Sequence, residues 1–218
     1  MLLPLRDESR PLSRFPIALV LIITANIIVF LVELALGNDF ILRYSMKPAE
    51  VVHGQHLETL FTSMFMHANF VHIAGNMLYL WVFGDELEAN YLGPVRFTIF
   101  YFVCGLAASA LQIAVDPTST VPNLGASGAI AGVLGGFQLV FPTDRILSVI
   151  FVPFWIWNAR ITSWVLIAVW FGLQLISGVG SITSTATQGG VAYFAHIGGF
   201  IAGLLLVRVF GAGAHVDE

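Results

Sequence analysis

From Ile17 to Leu36 the only charged residue is Glu33. A run of this length and character is long enough to cross the hydrocarbon core of a bilayer as a helix. In lipid a spanning segment must satisfy its own backbone hydrogen bonds, so the choice narrows to helices or a closed barrel. The rest of the chain repeats the pattern. It is 57% hydrophobic and 10% charged, with a mean hydropathy of +0.87. A soluble domain needs more charge on its surface. The net charge of -4, without basic clusters, excludes a nucleic-acid footprint. The single Cys104 lies in an apolar run and gives neither a disulfide framework nor a metal cluster. No cofactor and no metal are expected.

Apolar segments and turn signals divide the chain into six helices, at 17–36, 70–88, 95–115, 127–141, 161–176 and 191–210. The fold class expected is an all-α polytopic membrane protein, a six-helix bundle with a long first external loop over 37–68. Leu57, Leu60, Phe61, Met64 and Phe65 recur there at helical spacing, so part of that loop is expected to lie along the interface. Residues 146–159, apolar and aromatic, read as an interfacial connection. No secretory signal peptide is evident. The expected organisation is a short cytoplasmic segment at 1–16, a helical domain at 17–210 and a short cytoplasmic tail at 211–218. With six spans, Arg6, Arg10, Arg14, Arg96, Arg145, Arg160 and Arg208 share one side, against Arg43 and Lys47 on the other. The positive-inside rule then puts both termini in the cytoplasm of a cell-membrane protein, with 37–68, 116–126 and 177–190 outside. Glu33, near the far end of the first helix, reads as an interfacial anchor.

Polar residues within such segments are costly and call for a reason. Ser127 opens the fourth helix from the outer side, between Gly125-Ala126 and Gly128. His72 and Asn76 lie four apart at the outer start of the second helix, and His196 lies at the outer start of the sixth. All four are expected at one depth. Serine attack on a carbonyl needs a base, for which His196 is the candidate. The developing oxyanion needs donors, which His72, Asn76 and the Ser127 N–H can supply. No carboxylate stands where it would orient His196, so a dyad is expected, with a backbone carbonyl or water setting the tautomer. Gly128, Gly132 and Gly136 form one helical stripe and Gly199 and Gly203 another. Meeting of the two would bring Ser127 and His196 together on rigid elements. Read separately, each feature has a plainer meaning: a packed histidine, an asparagine as interhelical glue, a tight packing surface. A transporter would want ionisable residues or broken helices at mid-membrane and some sign of repeat; no convincing repeat is visible, and the polar residues gather near one surface.

The arrangement resembles the rhomboid family of intramembrane serine proteases over nearly the whole chain. The resemblance rests on Gly125-Ala126-Ser127-Gly128, on Ala195-His196-Ile197-Gly198-Gly199 with Gly203 beyond, and on the His-x4-His-x3-Asn pattern of His67, His72 and Asn76. It implies a Ser127 nucleophile, a His196 base, and oxyanion donors from His72, Asn76 and Ser127. It also implies supporting roles for His67, Gly125, Gly128, Gly199 and Gly203, and a cap over the site at 177–190. The implied partners are transmembrane-protein substrates, cut in or near their membrane helix, and membrane lipid. Nothing in the sequence sets an oligomeric state. The alternative is an inactive relative that binds membrane helices. Two positions depart from the family pattern. Glu58-Thr59 stands near where many members have Trp-Arg, and Ala131 stands where some bacterial members place a tyrosine against the histidine. Either another aromatic takes over or the histidine is held more loosely.

Overall fold

The computed structural model describes residues 2–152, 155–183 and 192–213. The long helices are α1 (Ile17–Leu36), α5 (Phe70–Glu86), α6 (Pro94–Val115), α7 (Ser127–Val140), α8 (Ser163–Thr183) and α9 (Tyr193–Phe210). Three short helices, α2 (Asn38–Tyr44), α3 (Pro48–Val52) and α4 (Thr59–Thr62), lie between α1 and α5. Among the described residues, α1, α6 and α9 are long and apolar enough to cross a membrane. This is a membrane protein, mostly helical.

α7 is the core helix. Every residue from Gly128 to Phe137 is buried, because α5, α6, α8 and α9 all pack against it. Glycine makes the closest of these approaches. A Cβ on Gly199 would fall on the carbonyl oxygen of Gly128, and one on Gly203 on that of Gly132. A Cβ on Gly128 would lie 2.7 Å from the Ala108 Cβ of α6. The two glycine stripes therefore do meet, and backbone approaches backbone as small residues permit. Gly136 faces the side chains of Phe100, Val207 and Leu87 instead.

The fold is not all-α. Leu2–Asp7 (β1) pairs antiparallel with Arg145–Val152 (β2), which pairs antiparallel with Trp155–Thr162 (β3). In β2, Ile146 and Ser148 are buried while Arg145 is exposed, the alternation a half-buried strand requires. The stretch expected as an interfacial connection is thus a hairpin, and the first residues are an edge strand rather than a free polar segment. The partner of β2 lies some 140 residues upstream, outside any local pattern.

The same end of the molecule uses charge for anchoring. The Glu88 carboxylate accepts the N–H groups of Ala18 and Leu19 at 3.0 and 2.7 Å, capping α1 from a distant element. Arg10 pairs with Glu86 at 2.9 Å and Asp144 at 3.0 Å, and its guanidinium lies over Phe141.

At the opposite end, the segment before α7 is stitched to the α2–α4 region. Met46 and Asn123 exchange backbone hydrogen bonds, and the Gly125 N–H donates to the Ser63 carbonyl at 2.8 Å. At the atypical Glu58-Thr59, Thr59 Oγ1 donates to the His56 carbonyl at 2.6 Å. Glu58 itself is exposed and faces the His56 ring at 3.1 Å. α8 runs further than expected, to Thr183, so 177–183 is helical rather than loop. The remainder of the expected cap, 184–190, lies outside the described residues.

Candidate active site

Ser127 is the first residue of α7. Its N–H therefore has no intrahelical acceptor. Gly125, two residues earlier, holds a φ of +123°, a conformation that favours glycine. Its missing side chain matters as well. A Cβ there would sit 2.9 Å from Cε1 and Nε2 of His72 and 3.5 Å from Nδ2 of Asn76. The turn that delivers Ser127 and the ring of His72 thus share one space, open only because residue 125 is glycine.

His196 lies in the first turn of α9 and is 7% exposed. Its Nε2 stands 2.7 Å from Ser127 Oγ. The glycine contacts between α7 and α9 set that distance, since they bring the two helix starts together as rigid bodies. Ser127, His196, His72 and Asn76 line one cavity of about 680 Å³, with Tyr79 and Trp170 among its other walls. A hydroxyl touching an imidazole nitrogen in a part-apolar cavity can attack a carbonyl and lose its proton to the ring.

His67 does not line this cavity. It is fully buried, one layer behind. Its Nδ1 faces the Phe65 carbonyl at 3.1 Å, and Nδ1–H donates there if Nε2 is to accept. Asn76 Nδ2 then donates to Nε2 at 2.9 Å. Burial above all, and then the neighbouring His72, push this imidazole down to about 4, so it is neutral and able to accept. The backbone N–H of His67 donates to the Glu33 carboxylate at 2.9 Å. Glu33 is 2% exposed. It is therefore no interfacial anchor but the base of a chain running Glu33, His67, Asn76 toward the cavity. Ile73 and Leu80, on α5's buried face beside Asn76, hold the helix in register.

Two residues of α8 also reach the site, and neither stood out in the sequence. Gln174 Oε1 lies 2.7 Å from Nδ1 of His196. Trp170, one turn earlier, lies against the same ring with centroids 5.9 Å apart and planes tilted by 38°. An aromatic from α8 thus occupies the neighbourhood that Ala131 leaves without one. Phe171, stacked on Phe200 of α9 at 4.1 Å, docks α8 in place. The only available signal was the spacing of Trp170 and Gln174, four apart and so on one helical face. That spacing is common in packed helices.

Residues 54–213 match the family profile of the rhomboid domain. The chain is 35% identical over 148 residues to Rhomboid protein 1, mitochondrial, of Saccharomyces cerevisiae, covering 66% of this chain and 39% of that one. It is 28% identical over 238 residues to RHOMBOID-like protein 1 of Arabidopsis thaliana, covering 93% and 56%. Rhomboid protease GluP of Bacillus subtilis is 30% identical over 119 residues, covering 53% and 23%. The chain spans little more than half the length of these relatives, or less. With its profile match extending from the loop before α5 through the end of α9, the chain belongs to the rhomboid family.

Proposed function

We propose that the protein is an intramembrane serine endopeptidase acting on transmembrane-protein substrates. The observation that carries the reading is the 2.7 Å contact of Ser127 Oγ with His196 Nε2 inside the cavity. Ser127 attacks the scissile carbonyl while His196 takes its proton. His72, Asn76 and the Ser127 N–H receive the oxyanion. His196 then protonates the leaving amine, and water hydrolyses the acyl-enzyme. The relative GluP is named a protease, which supports the class of reaction.

The bundle crosses the membrane with six helices, α1, α5, α6, α7, α8 and α9, both termini on the cytoplasmic side, and residues 37–68 as the first external loop. α7 has 14 residues, about 21 Å of helix at 1.5 Å per residue. A hydrocarbon core of roughly 30 Å leaves Ser127 below the outer surface, where a substrate helix must unwind locally to reach it. Small residues before the scissile bond suit a serine set among glycines. The yeast relative is named mitochondrial, so the cell membrane expected from the sequence gains no support there.

The test is cleavage of a reporter transmembrane substrate in liposomes by wild type, Ser127→Ala and His196→Ala, with the cut site read by mass. Product from wild type alone is the expected result. Equal product from all three overturns the reading. No product from any, with Ser127 also inert to a fluorophosphonate, favours a relative that only binds membrane helices.

A further inference from the structure

The His196 imidazole has a polar neighbour on each nitrogen, Ser127 Oγ on Nε2 and Gln174 Oε1 on Nδ1, both at 2.7 Å. The second contact decides what the first can do. An amide oxygen accepts and cannot donate. The proton shared with Gln174 is therefore carried by Nδ1. A neutral imidazole carries one ring proton, so Nε2 is left with its lone pair toward the Ser127 hydroxyl. That is the tautomer a general base needs. The opposite tautomer would present Nε2–H to Ser127 and take no proton.

We infer that Gln174 is the positioning residue for His196, the third member of the Ser127–His196 pair, supplied by α8 rather than by the elements that carry the family motifs. The inference rests on the protease reading for its catalytic consequence, but the tautomer itself does not. Trp170 adds to it from the same face of α8, lying against the ring whose edge Gln174 holds. Between them the imidazole is fixed in plane and in rotation. Gln174 meets the Nδ1 edge, and Trp170 lies beside the ring with planes tilted by 38°, so the two contacts fall on different parts of the imidazole. The choice of an amide over a carboxylate follows from where the ring sits. His196 is buried between α7, α8 and α9. A permanent anion there would carry a desolvation penalty that a neutral amide avoids. The amide fixes the tautomer without the charge that would stabilise an imidazolium.

Three variants and one spectroscopic readout test this. Gln174→Leu keeps the bulk and removes the acceptor. It is expected to lower kcat by about 10–100-fold with KM within about twofold, as loss of an orienting partner of a histidine does. Gln174→Glu restores the acceptor and adds charge. It is expected to recover most of the turnover and to move the acidic limb of the pH–rate profile up by about one pH unit, because a carboxylate favours the protonated ring. An amide serving only as packing between helices would give neither the kcat-only loss nor the displaced pH profile. Independently of any substrate, 15N-histidine NMR of the full-length protein in detergent reads the tautomer. The His196 signals are assigned among the six histidines by comparison with His196→Asn. Wild type is expected to show protonated Nδ1 and bare Nε2, and Gln174→Leu a mixture of tautomers. A wild-type ring protonated at Nε2, or a Gln174→Leu enzyme with unchanged kcat and pH profile, overturns the inference. If cleavage is absent in wild type while the tautomer is as described, the protease reading fails and the positioning contact stands. If Ser127→Ala abolishes cleavage and Gln174→Leu leaves it intact, the reverse holds.

Discussion

At the residue scale the tightest constraint falls on Gly125. Its φ of +123° and the nearness of the His72 ring exclude a side chain on two separate grounds. Gly125→Ala is expected to cost on the order of 1–3 kcal/mol in backbone strain and to displace either His72 or Ser127. Fluorophosphonate labelling of Ser127 should slow by at least about tenfold while the helical circular dichroism is kept. Normal labelling would show that the turn has slack. His67 gives a second test. Its imidazole is held at about 4 against an ordinary 6.5, so the unfolded chain binds the proton first as pH falls. Stability from this group is complete above about 6.5, drains away as pH falls toward about 4, and is level below. Glu33 on its backbone and the His72 ring, 5.1 Å away, are the titratable groups facing it. The melting temperature in detergent is expected to fall over that window less steeply in His67→Gln than in wild type. Ser127, His72, Asn76 and His196 were legible as residues because polar groups in apolar helices are conspicuous. Gln174 was not, since its meaning comes only from the ring it faces.

At the scale of elements, the packing of α7 on α9 sets the Ser127–His196 distance. The Gly128 and Gly132 carbonyls occupy the space where side chains at 199 and 203 would stand. Gly199→Ala should therefore push the helices apart. Overpacking of this kind costs about 1–3 kcal/mol, so a lower melting temperature and slower Ser127 labelling are expected together. Gly172→Ala on α8 is the control. Nothing lies within 4 Å of its added methyl, and stability should be unchanged or slightly raised. The stripes were readable because a spacing of four returns to one face. Gly135 was not singled out in this way, although a Cβ there would meet the Phe200 carbonyl. Which glycine touches backbone depends on the crossing of the helices, and periodicity within one helix carries no information about that crossing.

Across the whole molecule, the two ends are held by different chemistry. The end bearing Ser127 is tied by backbone hydrogen bonds between the pre-α7 segment and the α2–α4 region. The other is tied by charge, with Arg10 between the buried carboxylates of Glu86 and Asp144. Burial pushes the Asp144 carboxyl up against the opposing pull of Arg10. Arg10→Leu leaves these acids without their cation, and removing one partner of a buried pair costs about 3–5 kcal/mol. Side-chain exposure of 29% at Arg10 reduces this to about 1–3 kcal/mol. Without Arg10 the Asp144 carboxyl, already raised by burial, rises further in the folded state. The deficit is then greatest at neutral pH and shrinks as pH falls and the acids become neutral. Thermal unfolding of both proteins from pH 7 to pH 4 measures it, and a deficit constant with pH would rule the charge account out. The sequence by itself determined a helical membrane protein, the four polar residues that line one cavity, and the glycine faces, because each of these is written in local composition or in helical period. Only the tertiary structure decided that β1 closes a sheet with a distant hairpin, that Glu33 supports His67, and that α8 brings Trp170 and Gln174 to His196. Those contacts join segments far apart in the chain, and their energy exists only once the segments have met.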